Sequence, residues 1–155
     1  MKYEDIWQKT LSKDEKVEFE FSVGKHYRQV GLIIFGVFGL LFLLAGGFGV
    51  FIFLIGLFYY GFYLPKANAY AFTNKRVLIH RGWLSTRMVA IDYPKITDIH
   101  VSEPFFDKGL YHTGNIAINT AGTNTLYEVV LRHVEQPYEI KKKLDELKDK
   151  TYGKE

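Results

Sequence analysis

The sequence predicts an α+β membrane protein: a two-helix apolar hairpin, then a small antiparallel β-barrel or sandwich closed by a C-terminal helix. Three observations predict it. No charged residue occurs between Arg28 and Lys66. From Ala69 onward, apolar residues recur at every second position in short runs separated by turn residues, which is the strand period. After Pro137 the period lengthens to that of a helix, with Ile140, Leu144 and Leu147 on one stripe.

The uncharged interval, 29–65, holds 37 residues, and a spanning helix needs ~20. As one straight helix it would run about 55 Å at ~1.5 Å per residue, well beyond a hydrocarbon core of ~30 Å. Every face is apolar, whereas a soluble core helix keeps a polar one. Gly46-Gly47-Phe48-Gly49 places three glycines in four residues and predicts the reversal. Cutting there leaves arms at 30–45 and 50–64. Arms that short span ~24 Å each, so a re-entrant hairpin is the alternative to two full spans.

Tyr27, Tyr59, Tyr60 and Tyr63 sit at the outer ends of the arms, where interfacial tyrosine belongs. Lys and Arg flank both outer ends, and the middle turn has neither. The positive-inside rule then predicts two spans of the cell membrane with both termini cytoplasmic. Small residues let helices approach in lipid. Gly36, Gly39, Gly46, Gly49 and Gly56 are the candidates for that packing.

Ahead of the hairpin, Tyr3, Ile6, Trp7 and Leu11 share one helical face. That face lies either on the membrane or on the folded domain. Val17, Phe19, Phe21 and Val23 then alternate with polar residues, predicting a strand whose sheet must lie beyond the hairpin. Ser12-Lys13-Asp14-Glu15 has the form of a capping box; with a strand following, it reads as coincidence. After the hairpin, strands are expected at 69–73, 76–81, 88–93, 96–102, 115–120 and 126–133, with a longer loop at 103–114 and a turn at 121–124. The division is therefore 1–28, an N-terminal cytoplasmic helix and strand; 29–65, the hairpin; and 66–155, the β domain.

Strands followed by one capping helix is the plan of a pleckstrin-homology (PH) barrel. The stretch "YAFTNKRVLIHRGWLSTRMVAIDYPKITDIHVSE", 70–103, resembles the membrane-anchored bacterial PH-like domain family. The likeness rests on the Thr-Asn-Lys-Arg-Val turn, Arg81-Gly82, and Ile91 through Ile96-Thr97-Asp98-Ile99, and continues in "NIAINTAG" and the final helix. It implies a PH-like fold with a hydrophobic hairpin before it. The segment 104–114 departs from the family's pattern.

The chain has no cysteine, which excludes disulfides, thiol catalysis and cysteine metal sites. The formal charge of +3 is spread out, leaving no nucleic-acid footprint. The five histidines are scattered, without metal-binding or catalytic spacing. The expectation is a non-enzymatic module with no cofactor and no metal. Its candidate contacts to anionic headgroups or a partner are Lys66, Lys75, Arg76, Arg81 and Arg87. Phe105 and Phe106 either plug the barrel, the expected role, or insert into a membrane or partner surface. The expected partners are the membrane, a second protein or further copies of the chain. An oligomeric pore- or transporter-associated protein with a regulatory PH-like cap is the alternative.

Overall fold

The computed structural model describes residues 3–120 and 129–152. A single-turn helix α1 (Glu4–Trp7) leads into β1 (Val17–Ser22). The hairpin follows as α2 (Lys25–Gly46) and α3 (Gly49–Ala67). Then come β2 (Asn68–Thr73), β3 (Arg76–Arg81), β4 (Arg87–Asp92), β5 (Ile96–Ser102), β6 (Thr113–Thr120), β7 (Val129–Glu135) and α4 (Pro137–Tyr152). Two antiparallel sheets, β1-β2-β3-β4 and β5-β6-β7, face one another over one core. The expected turn at 121–124 and the strand start at 126–128 lie outside the described residues.

β1 pairs with β2 from Val17↔Thr73 to Ser22↔Ala69. The N-terminal segment is therefore not a unit apart: the hairpin is an insertion between two neighbouring strands of one sheet. Ser22 fastens the join, its hydroxyl lying against the Pro65 and Asn68 carbonyls.

Period two places Tyr70, Phe72, Val77, Ile79 and Ile91 inside, against Ile116, Ile118 and Leu131 of the second sheet. Ile140, Leu144 and Leu147 of α4 join this cluster and close its open end, as their spacing predicts. The outer face of β2 and β3 is buried too. Ala69 and Ala71 are small enough to leave room for Trp7, which packs with them, Tyr3 and Leu78 and is completely buried. The N-terminal stripe thus docks on the sheet and not on lipid.

The hairpin helices have 22 and 19 residues, about 33 and 29 Å at ~1.5 Å per residue. Both outrun the expected arms because the helix continues through Lys25–Arg28 and Pro65–Ala67. The added turns carry Lys25, Arg28 and Lys66, so the uncharged stretch is no longer than the sequence showed, while the whole helices compare with the ~30 Å of a hydrocarbon core. Only 11% and 22% of their most apolar windows is buried, unlike the core helices of a soluble domain. By length and composition, both are able to cross a membrane.

Gly47 caps α2 in the left-handed conformation. Gly39 and Gly49 then meet backbone to backbone: a Cβ on Gly49 would lie well inside contact distance of the Gly39 carbonyl oxygen. Gly56 packs on Phe35, and Gly31, missed from sequence, packs on Tyr60. Gly36 and Gly46 have nothing within 4 Å of a built Cβ. They do not belong to the packing set: Gly36 faces away from the other arm, and Gly46 lies where the helices part for the turn.

Candidate functional site

Strand direction sorts the candidate cations. β1 runs toward the hairpin and β2 starts from it, so the β2–β3 turn at Asn74-Lys75 lies at the far end of the sheet. β3 returns, bringing the β3–β4 turn (82–86) back to the hairpin. A strand of six residues is ~20 Å long. Lys66, Arg81 and Arg87 are therefore at the hairpin end, while Lys75 and Arg76 are a strand length away.

Arg76 is also occupied. Its Nη2 and Nε donate to the two Glu15 carboxylate oxygens at 2.7 and 2.9 Å, and Nη2 reaches the Thr10 carbonyl at 3.1 Å. Thr73 Oγ1 donates to the same carboxylate, and the Ser12 N–H closes on it at 3.1 Å. Half of the capping box is therefore real, though no helix follows it. Asn74 completes the clamp by accepting from the Lys16 N–H and donating to the Asp14 carbonyl. Arg76 is a structural residue and leaves the contact set. The Thr-Asn-Lys-Arg turn that carries the family resemblance is fold chemistry.

Arg81 and Arg87 stand directly opposite each other in the β3–β4 ladder, a like-charge pairing that is mildly destabilising by itself. Arg81 is partly committed, donating to the Val130 carbonyl. Phe105 and Phe106 are 84% and 69% exposed, so they do not plug the barrel; Tyr93, hydrogen-bonded to the Thr73 carbonyl at 2.5 Å, fills that interior instead. Serine at Phe105 or Phe106 is expected to change the unfolding free energy by no more than ~0.5 kcal/mol, where a plug would cost ~3–5 kcal/mol. Thermal unfolding in detergent decides between them.

At the hairpin's base, α1, the end of α3 and the β3–β4 turn enclose a cleft of about 710 Å³. Its walls bring together Lys9, Arg28 and Lys66, with Asp5 the one carboxylate and Trp83 the aromatic rim. The Lys66 ammonium rests over the Phe62 ring at 4.0 Å. Arg28 Nε is buried with no hydrogen-bond partner in the described structure. His80 contributes no charge here: burial pushes its pKa down, Lys9 adds to that, and the Gly82 carbonyl opposes it. The cleft thus offers three cations against one carboxylate. Sequence reading found only Lys66 of these. Arg28 was read only as a flank of the apolar run and Lys9 carries no local signal, because it is the fold that joins residues from before and after the hairpin.

A second cleft, about 590 Å³, lies between β1 and α4 and mixes Lys25, Lys142 and Lys143 with Glu20, Glu135, Glu139 and Glu146; Arg28 lines both clefts. On the α2 side, the Asp107 carboxylate holds His133 Nδ1 at 3.1 Å, and the His133 ring stacks on Tyr27 at 4.0 Å. Among the described residues, no group of three or more His, Asp or Glu side chains is placed to hold a metal ion.

The two sheets, the capping helix and the strand order are those of a PH fold. The bacterial PH domain family matches residues 28–148. The chain belongs to the bacterial PH domain family. Solved structures that share the fold include two from Shewanella. One is a DUF1696-family protein with a pleckstrin-homology domain from Shewanella loihica PV-4, at TM-score 0.52 and 10% identity, covering 95% of this chain and 94% of that one. The other is a pleckstrin homology domain from Shewanella amazonensis SB2B, at TM-score 0.51 and 12% identity, covering 92% and 82%. No curated protein matches this chain. At such identities the likeness of this bacterial PH domain protein to its neighbours is one of fold.

Proposed function

We propose that this bacterial PH domain protein is a membrane-tethered, non-enzymatic interaction module. The α2–α3 hairpin crosses the membrane twice and holds the domain at the cytoplasmic face. The cleft at the hairpin's base receives anionic lipid headgroups. The observation that carries the reading is the insertion point: both arms feed adjacent strands, and three cations converge where they enter. Each Lys or Arg near an anionic leaflet contributes ~1 kcal/mol.

Two measurements test it. The chain should resist alkaline extraction from membranes, and tags at Met1 and Glu155 should both answer from the cytoplasmic side. Tags answering from opposite sides would overturn the topology. Native mass spectrometry of the full chain, released from equimolar phosphatidylglycerol and phosphatidylcholine, reads the headgroup preference. Lys9 and Lys66 are exposed, so the double variant Lys9→Glu/Lys66→Glu should fold. We expect it to retain phosphatidylglycerol about 30-fold less well, the equivalent of ~2 kcal/mol. Equal retention of the two lipids by the wild type would refute headgroup recognition.

A further inference from the structure

We propose that the β3–β4 turn is a second bilayer anchor, with the tip Trp83-Leu84 sitting among lipid chains beside α3. The inference rests on the hairpin reading above and goes beyond it, because it concerns a segment of the PH domain itself.

Depth is fixed by the helix. The Trp83 ring packs edge-on against Phe58 at 5.8 Å and Phe62 at 5.6 Å between ring centroids. Those two residues precede Lys66 by eight and four positions. With Leu57–Tyr63 wound as a π-helix, whose rise per residue is below the ~1.5 Å of an α-helix, they lie somewhat less than ~12 and ~6 Å from it along the axis. Lys66 marks where charge returns to the chain. A ring touching both phenylalanines therefore lies below the headgroup charges, at the ~5–10 Å reached by interfacial apolar groups.

The turn has the chemistry for that position. Its five residues, Gly-Trp-Leu-Ser-Thr, carry no charge, while Arg81 and Arg87 flank it. Leu84 is 90% exposed and Trp83 40%. Tryptophan concentrates at this level of a bilayer. The turn is also fixed to the helix. The Gly82 N–H donates to the Ala67 carbonyl at 2.7 Å, and Gly82 holds φ +92°, which a side chain would strain. That bond and the Trp83 contacts with Phe58 and Phe62 hold the turn against the helix. Lipid is the occupant, because the exposed surface of Trp83 and Leu84 is continuous with the exposed flanks of Phe58 and Phe62.

The absence of cysteine makes the test direct. Nitroxide labels go on Leu84→Cys, Leu41→Cys in the last third of α2 and Lys75→Cys at the far end of the sheet, each in the full chain. The chains are reconstituted in phosphatidylcholine–phosphatidylglycerol vesicles. Leu84 and Leu41 are exposed, as is Lys75, so labelling should not disturb the fold. We expect the ratio of oxygen to nickel-chelate accessibility at Leu84→Cys to approach that at Leu41→Cys and to exceed that at Lys75→Cys several-fold. A ratio like that of Lys75→Cys, with Leu41→Cys still in lipid, overturns the anchor and leaves the hairpin standing. Water-like values at Leu41→Cys defeat both. Exclusion of both reagents at Leu84→Cys, with spin–spin broadening, would mean that a second copy covers the turn and lipid does not.

Discussion

Alanine at Glu15 is expected to lower the unfolding free energy by about 3 kcal/mol at neutral pH. The carboxylate is wholly buried, and its partner Arg76 keeps 23% of its side chain exposed. Breaking a buried pair costs ~3–5 kcal/mol, and the partial exposure of Arg76 puts this case at the low end. A second route gives the same size. Burial alone would raise the Glu15 pKa, but Arg76, the Ser12 N–H and Thr73 together hold it down to about 2, against an ordinary 4.5. That difference is worth ~3 kcal/mol. Because the folded pKa is the lower one, the contribution is complete above about pH 4.5 and is lost as pH falls toward 2. Unfolding midpoints in detergent micelles, taken across this window, should show the wild type falling and Glu15→Ala staying flat, with the gap closing at the acid end. Glu15→Gln separates charge from shape, since it keeps the volume and loses the titration. A gap that persists unchanged at the acid end would mean that the pair contributes only packing.

This pair also marks the limit of what the sequence discloses. Glu15 and Arg76 are separated by 61 positions and the whole hairpin. Each stands in a local pattern with a ready bland reading, one as part of an idle capping box, the other as a turn cation. The strands were legible because a buried face imposes period two at short range. The hairpin was legible because 37 uncharged residues are long enough for two helices able to cross a membrane. The double burial of β2 and β3 was not, since the cover comes from Trp7, on the far side of the insertion.

The candidate site was harder to read for the same reason. Lys66 was found from its place beside the apolar run. Arg28, equally close to it on the other side, counted only toward topology, although the fold turns it into the same cleft. Trp83 lies in a turn, where periodicity has nothing to say, and its role appears only when its ring is seen against Phe58 and Phe62. Lys75 was misplaced because sequence shows that a turn is basic and not which end of the sheet it occupies.

Alanine at Gly49 is the other change of large expected effect. The added Cβ would collide with the Gly39 carbonyl oxygen and the Leu43 backbone nitrogen. Neither is a side-chain end that rotates away, so the arms must part. In the membrane setting proposed above, lipid supplies no hydrophobic force to push them back together, and helix association there depends on close contact. Overpacking against side chains costs ~1–3 kcal/mol; against backbone the upper end, about 3 kcal/mol, is expected. Gly39→Ala should be milder, because its Cβ would meet Gly49 O at 3.0 Å and Phe53 Cβ at 3.2 Å. Gly36→Ala meets nothing and should gain up to ~1 kcal/mol from helix propensity. Leu41 and Phe51 are exposed on opposite arms and accept paired nitroxide labels on introduced cysteines. Pulsed electron resonance should show a longer, broader distance in Gly49→Ala and an unchanged one in Gly36→Ala. The Pro65 and Asn68 carbonyls anchor the base through Ser22, so the parting should be confined to the tip. If Gly49→Ala and Gly36→Ala behave alike, the two arms are not held by backbone contact, and the glycines reflect composition alone.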